Sequence, residues 1–462
     1  MKFELKIEIT DPDGVVHDHD IAVLDKSFER ASDIGLTLSE SKELLLNLQQ
    51  VMVEAQTKAY TEKQSHCSCC NKKLRSKGKK SIRFRSLFGD ISLPSQRFYH
   101  CACDSSEAKT FSPLNALLNS HVAPEMLWLE TKWASLVSYG ASVSLLKDVL
   151  PIGDKLNAET LRRHLAQTAQ RMEAELEEES FSYVTTREFE RQDMSAPNGP
   201  IVVGIDGGYV RSCDKGGTHF EVTVGKSIPE DGDSRYLGLV QSHDTKPRRR
   251  LNEVLLEQGW QENQHVTFLT DGGDSVVKMA KNMAPSSEHL LDWFHITMRI
   301  TVIGQYLKGL VKHNPEEAEN LSRELRRIKG YLWNGNVTDA VQTALDLEAT
   351  LGMVETKYSS FKALLKHVSE FEVYISNNGW MIPNYAERRR YGERVSTGFV
   401  ESTVNTLVGK RFNKKQQMRW SKLGAHNMLQ TRARTLDGTL RQKFEQWYPG
   451  MANDNQQAKL AA

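Results

Sequence analysis

Apolar and charged side chains alternate along Lys2–Ile9 (KFELKIEI), the period-two signature of a β-strand. Residues 38–58 change to a helical period, with an apolar face and a polar one. Alternation returns in SIRFRSLFGDISLPSQRFYH, where Gly89-Asp90 predicts a hairpin. Residues 125–180 read as all-helical. Pro124 opens a helix to about Tyr139, Gly140 breaks it, SVSLLKDVL makes a second short helix, and Asn157 caps a third that begins AETLRRHLAQ. Short helix, turn and longer helix fit a helix-turn-helix with Arg162, Arg163 and His164 on its last member; a helical spacer fits equally. The acidic run Glu173 to Glu179 and Pro197-Asn198-Gly199-Pro200 mark a linker.

Beyond residue 200 the order of elements becomes informative. GPIVVGIDGGYV, THFEVTVGKSI and RYLGLVQS predict three strands, residues 249–258 a helix, HVTFLTDGG a fourth strand, and DSVVKMAKNM another helix. HLLDWFH predicts a fifth strand running into a helix from about Ile296. Three strands followed by alternating helix and strand is the order of a ribonuclease H-like fold, an antiparallel trio extended by parallel strands. The chain is therefore expected to be a multidomain α/β protein. Its parts are an N-terminal strand and helix region (1–62), a zinc-ribbon-like β module (63–123), a helical, helix-turn-helix-like region (124–195), and a ribonuclease H-like core (196–295). A helical insertion (296–385), the C-terminal helices of the core (386–448) and a flexible tail (449–462) complete it.

Composition changes this picture at two points. The 462 residues carry 60 Lys+Arg and 59 Asp+Glu, but that balance conceals segregation. Residues 1–60 hold 6 basic and 12 acidic side chains, residues 71–100 hold 9 and 1, and residues 385–450 hold 14 and 5. Basic blocks set apart by acidic ones suit a protein that meets a polyanion at chosen surfaces, although solvated faces carry the same pattern. Second, five of the six cysteines fall between 67 and 103. The N-terminus has no apolar signal-peptide core and no run approaches a membrane span, so a cytoplasmic protein with no membrane partner is expected. There, clustered cysteines point to metal before disulfides. Cys67, Cys70, Cys101 and Cys103 would hold a structural Zn²⁺ at the base of the basic hairpin, with Cys69 or His66 as substitutes.

The candidate chemistry lies in carboxylates. Asp206 interrupts an apolar strand and Asp271 ends another; a carboxylate there needs a partner, and a divalent cation is one. Glu401 is the only acidic residue between Arg394 and Asp437, on a stretch with a helical packing face. Three such ligands can hold two Mg²⁺ ions, for which Mn²⁺ can substitute, for phosphoryl transfer. Ile205-Asp206-Gly207-Gly208 also resembles the phosphate turn of sugar kinases and actin-like ATPases. Those need a second Gly-rich turn usually well downstream, and no GxxxxGK[ST] loop is present.

Together GIDGGYV, HFEVTVGKS, DTKPRRRL, LTDGGD, HLLDWFHITMRI, YLWNGNV and STGFVESTVN resemble the DDE transposases of ISKra-type bacterial insertion sequences, relatives of the Mutator-like group. The resemblance runs from about residue 65 to about 440. It implies catalytic carboxylates at Asp206, Asp271 and Glu401, and a helical insertion between the last two. Asp292-Trp293-Phe294-His295 matches the C/D-x-x-H signature of those enzymes. A His beside the metal site can contact the scissile phosphate or orient the flanking strand, and Trp293 can stack on an unpaired base; equally, Trp293 and Phe294 are core and His295 is a satisfied helix-start residue. The function to expect is metal-dependent cleavage at transposon ends and strand transfer into target DNA by a homodimer or higher assembly. Lys77, Lys79, Lys80, Arg83, Arg85, Arg162 and Arg163 would bind terminal inverted repeats, and Lys410, Arg411, Lys414, Lys415 and Arg419 would hold DNA near the metals. A nuclease or resolvase on the same fold, or an inactive zinc-containing DNA-binding protein, would share most of these features.

Overall fold

The computed structural model describes residues 1–103, 109–176, 190, 194–195, 198–214, 216–281, 283, 287–396, 398–413 and 418–452. They form a multidomain mixed α/β protein of two compact units, residues 1–168 with 439–462 and residues 169–438. No helix among the described residues is long and apolar enough to cross a membrane.

In the first unit, β1 (Lys2–Thr10) pairs antiparallel with β2 (Val16–Asp25), and α1 (Leu38–Lys63) follows. Thr37 and Glu40 cap α1 reciprocally: the Thr37 hydroxyl accepts from the Glu40 amide at 3.2 Å, and Glu40 accepts from the Thr37 amide at 2.7 Å. The basic hairpin consists of β3 (Ser76–Ser86) and β4 (Gly89–Tyr99), extended by the short β5 (Thr110–Phe111). Its turn is Leu87-Phe88, two residues before the expected place, so that Asp90 lies opposite Arg85 within the ladder. Ile82, Ile91 and Leu93 on its inner face pack with Val53 of α1.

Helices α2 (Pro113–Leu117), α3 (Pro124–Leu136), α4 (Tyr139–Val149) and α5 (Ala158–Glu175) complete the stretch. The break between α3 and α4 falls at Val137-Ser138, where the Ser138 hydroxyl accepts from the Ala141 amide at 3.2 Å; Gly140, the expected breaker, sits inside the first turn of α4. Asn157 does start α5, accepting from the Thr160 amide at 3.0 Å. Within α5 the chain passes into the second unit, between Thr168 and Ala169, earlier than the linker composition suggested.

The second unit is built on a five-stranded sheet of order β10-β9-β6-β7-β8. Its strands are β6 (Ile201–Arg211), β7 (His219–Pro229), β8 (Arg235–Val240), β9 (Val266–Thr270) and β10 (Ser287–Leu291). β6, β7 and β8 are antiparallel neighbours, whereas β9 and β10 run parallel to β6. Helices α6 (Pro247–Glu257) and α7 (Asp274–Ala280) cover one face, burying Leu251, Leu255, Val276 and Met279 against Val203, Ile205 and Phe268. This is the strand pattern expected from sequence.

From β10 the chain enters α8 (Trp293–Leu310), α9 (Pro315–Trp333), α10 (Val337–Gly352), α11 (Phe361–Asn377) and α12 (Tyr385–Arg390), a module with its own apolar core. It then returns to the sheet as α13 (Gly398–Val404), which runs into a π-helical stretch, Asn405–Asn413, and α14 (Lys422–Leu436). The last helix, α15 (Leu440–Trp447), was expected to belong to the core. It packs instead in the first unit, where Leu440 and Phe444 meet Leu127 and Trp128 of α3.

Candidate active site and metal centre

β6 and β9 run parallel with Ile205 opposite Thr270, so Asp206 and Asp271 leave neighbouring strands at the same level. Alternation along β6 sends Val203 and Ile205 into the apolar layer and turns Gly204, Asp206 and Gly208 to the other face. The two glycines are what admit α13. A Cβ on Gly204 would lie 2.0 Å from Val400 Cγ2 and 2.9 Å from the Phe399 ring, and one on Gly208 would lie 3.4 Å from Val404. Val400 and Val404 therefore straddle Asp206, and Glu401 follows Val400 on the same helix.

Asp206 is held above the ordinary carboxylate range, first by burial and then by the charges of Asp271 and Asp292; His295 and the Gly207 amide oppose the shift. The Gly207 amide donates to Asp206 Oδ1 at 2.7 Å. His295, in the first turn of α8, lies with Nε2 3.9 Å from Asp206 Oδ1 and 3.7 Å from Asp292 Oδ2. Asp292 is fully buried and caps α8, accepting from the Phe294 amide at 2.9 Å, while its own amide donates to the Thr270 carbonyl at 2.9 Å. The strand ends before Asp292, so the helix starts three residues earlier than expected and brings His295 inward.

The helical module fixes the strand ends. Tyr374 of α11 donates to the Asp271 carbonyl at 3.0 Å, and Tyr385 of α12 donates to the Leu291 carbonyl at 2.6 Å. Burial raises both phenols' pKa, and the Arg299 guanidinium stands 4.1 Å from the Tyr374 ring centre. Gly272 has φ +84°, and a Cβ there would meet Asn378 Oδ1 at 2.7 Å, so only glycine suits the turn after Asp271. The Asp271 carboxylate accepts from the Gly273 amide at 2.9 Å. Sequence reasoning missed Tyr374, Tyr385, Arg299 and Asn378, whose roles rest on contacts far away in the chain.

Asp206, Asp271, Asp292 and His295 are thus brought together, with Glu401 exposed on the helix beside them. The oxygens of Asp206, Asp271 and Glu401 are not gathered into one cluster as the cysteine thiols are. Three carboxylates that close would repel strongly in a partly buried site. Trp293 is half-buried between Trp333 and Tyr385, with ring centres 4.8 and 4.9 Å away, which is the core packing weighed above against base stacking.

The expected DNA-contacting residues divide. Lys77, Lys79, Lys80 and Arg83 are exposed along β3, as are Arg162, Arg163, Lys410 and Arg419 on their segments. Arg85 is engaged inside the first unit, 3.4 Å from Asp90 and 4.0 Å from Glu130. Arg162 is paired with Glu159, and His164 is buried against Glu130, so the basic run of α5 is half core. Arg411 departs from expectation: it is fully buried, its guanidinium 5.0 Å from the Trp420 ring centre, so it packs the core where a phosphate contact was expected. Lys414 and Lys415 lie outside the described residues.

Cys67, Cys70, Cys101 and Cys103 bring their thiols within 4.8 Å of one another, a set that could hold Zn²⁺. The Cys67–Cys103, Cys70–Cys101 and Cys70–Cys103 separations are 3.3, 3.5 and 3.7 Å. A tetrahedral ion with Zn–S bonds of about 2.3 Å requires S···S edges of about 3.8 Å, whereas a disulfide requires about 2.0 Å. Backbone amides of Cys70 and Cys69, and then the Cys103 thiol, lower Cys67 to about 6; the Cys103 amide lowers Cys101, while Cys103 is raised by its neighbours. The turn after Cys70 places Asn71 at φ 54°, folding the knuckle back so that the Cys67 amide donates to the Lys72 carbonyl at 2.8 Å. Cys69 is exposed and outside the set, as is Cys213.

Glu173, Asp244 and His426 form a second group with metal-ligand spacing. The Arg250 guanidinium already answers their charge, 2.7 Å from Glu173 and 2.8 Å from Asp244. No protein-family model and no curated protein matches this chain, so the reading of the site rests on its own residues.

Proposed function

We propose that this protein is a DNA transposase of the DDE type, with a ribonuclease H-like core that cleaves the ends of its element and joins them to target DNA. The observation that carries the reading is the pairing of Asp206 and Asp271 on adjacent parallel strands, under the helix that bears Glu401. Burial and like charge leave Asp206 as negative charge in want of a counter-cation, which is the chemistry of a divalent-metal ligand. Asp206, Asp271 and Glu401 would hold two Mg²⁺ ions, which would supply activation of a water or 3′-hydroxyl and charge stabilisation of the leaving oxygen. Asp206 and Asp271 orient the site from the rigid sheet, and Glu401 closes it from α13. His295, within reach of Asp206, serves as a hydrogen-bond donor to a phosphate oxygen. The zinc module stiffens the basic hairpin, whose lysines meet DNA phosphates.

The test is strand cleavage and joining on DNA carrying the gene's own flanking ends, with Mg²⁺ or Mn²⁺, comparing wild type and Glu401→Gln. End-specific cleavage with joined product, lost in the variant, supports the transposase and the third carboxylate together. Cleavage without joining or end preference would make the protein a nuclease or resolvase. Binding of the ends with no cleavage in either metal would leave an inactive zinc-containing DNA-binding protein.

A further inference from the structure

The N-terminal hairpin is a two-stranded sheet held on α1, where Asn47 donates to the Ile21 carbonyl at 3.1 Å, and two strands are short of the usual sheet. Beyond β2, β1 makes no backbone hydrogen bond to the described residues, so its outer edge offers a full row of unused donors and acceptors. The strand is regular: the bulge in the pair lies on β2, where Ile21 is the extra residue between the partners of Leu5 and Lys6. Phe3 is 46% exposed, and Leu5, Ile7 and Ile9 are half-buried on the same face.

The sequence of this edge reads as its own complement. Laid antiparallel on a second copy about Leu5, it sets Lys2 against Glu8 and Glu4 against Lys6. On the apolar face it sets Phe3 against Ile7 and Leu5 against Leu5. Leu5 pairs with itself on the two-fold axis and every other pairing occurs twice across it, which is the requirement of an isologous interface. β2 offers no such match, since Asp18, Asp20 and Asp25 line it and any self-pairing centred near His19 opposes aspartate to aspartate.

We propose that β1 is a self-association strand that pairs with β1 of a second copy of this chain, making a continuous four-stranded sheet β2-β1-β1-β2. The inference rests on the strand alone and stands or falls separately from the catalytic reading.

The experiment uses the full chain and measures mass by light scattering over a concentration series. Glu4→Lys with Glu8→Lys makes the edge wholly basic. Within the hairpin this variant gives up the exposed Lys2–Glu4 ion pair at 2.7 Å and gains at Glu8, which lies opposite Asp18, where lysine would meet an opposite charge. Lys2→Glu with Lys6→Glu makes the edge wholly acidic. The wild type is expected to reach twice the monomer mass. The basic variant should dissociate at least tenfold more readily while its thermal midpoint holds or rises, and a mixture of the two variants should recover the doubled mass. A wild type that remains monomeric, a basic variant that associates as tightly as wild type, or a mixture that stays monomeric would each overturn the proposal.

Discussion

Asp206 shows how a single residue can serve the site at the expense of the fold. Its pKa is raised by burial and by neighbouring carboxylates, so it takes up a proton more readily in the folded protein than in the unfolded chain. The stability that protonation brings is present at acid pH and lost as pH rises through the raised value. Asp206→Asn, which mimics the protonated form, is therefore expected to raise the thermal midpoint of the metal-free protein at neutral pH while cleavage falls by at least ~10²-fold. Calorimetry and the strand-cleavage assay on one preparation check both halves; a variant that is less stable and still active would refute the site. Glu288 has the opposite sign. Burial pushes it up, but His265, Arg388 and Thr267 overcome that and hold it at about 2. Its contribution is present above the ordinary 4.5 and lost as pH falls from there toward about 2. Glu288→Gln should flatten that limb of an acid-unfolding curve followed by circular dichroism, since it removes the carboxylate that Arg388 reaches at 2.7 Å.

At the scale of elements, the four-cysteine module makes the clearest claim. Four thiols at metal-ligand spacing, two of them with lowered pKa, would hold an ion as thiolates and repel one another without it. One Zn²⁺ per chain is expected by elemental analysis. A strong chelator, or Cys67→Ser, should increase amide exchange along β3 and β4 and leave the sheet around β6 protected. These cysteines were legible because their spacing is local and the hairpin between them alternates. The strands of the second unit were legible for a similar reason: long apolar runs, broken by aspartates at the same level of two strands. What stayed hidden depended on distant partners. Nothing near Tyr374 points to the Asp271 carbonyl, and nothing near Tyr385 points to that of Leu291. The bounds of helices moved by a few residues where a side-chain cap set the start: Ser138 in place of a break at Gly140, and Asp292 ahead of the start expected near Ile296.

For the whole molecule, charge is the quantity to follow. The net balance near zero predicts little, whereas the exposed row Lys77, Lys79 and Lys80 predicts phosphate contacts on one element. If each lysine neutralises one phosphate, replacing all three by alanine should flatten the slope of log K against log salt by roughly 2–3 for duplex DNA. Fluorescence anisotropy at several salt concentrations measures that slope. A triple variant with the wild-type slope would place the DNA on another face. Arg411→Ala, by contrast, should cost stability rather than slope, because its guanidinium is packed inside.

The helical module leaves the sheet and returns to it at nearly one point: the Trp293 amide donates to the Val395 carbonyl at 3.2 Å. About 100 residues thus hang between two positions that touch. While the module is folded, its own packing closes that loop, and α13 inherits a short tether to β10. Were the module to melt, the tether would become a long flexible chain, and the entropy of closing it would fall on the contacts of α13 alone. Glu401 would then drift from Asp206 and Asp271 even though no residue near any of the three had changed. The core of the helical module is in this sense a distant guardian of the third carboxylate, and its stability sets how often the site is whole.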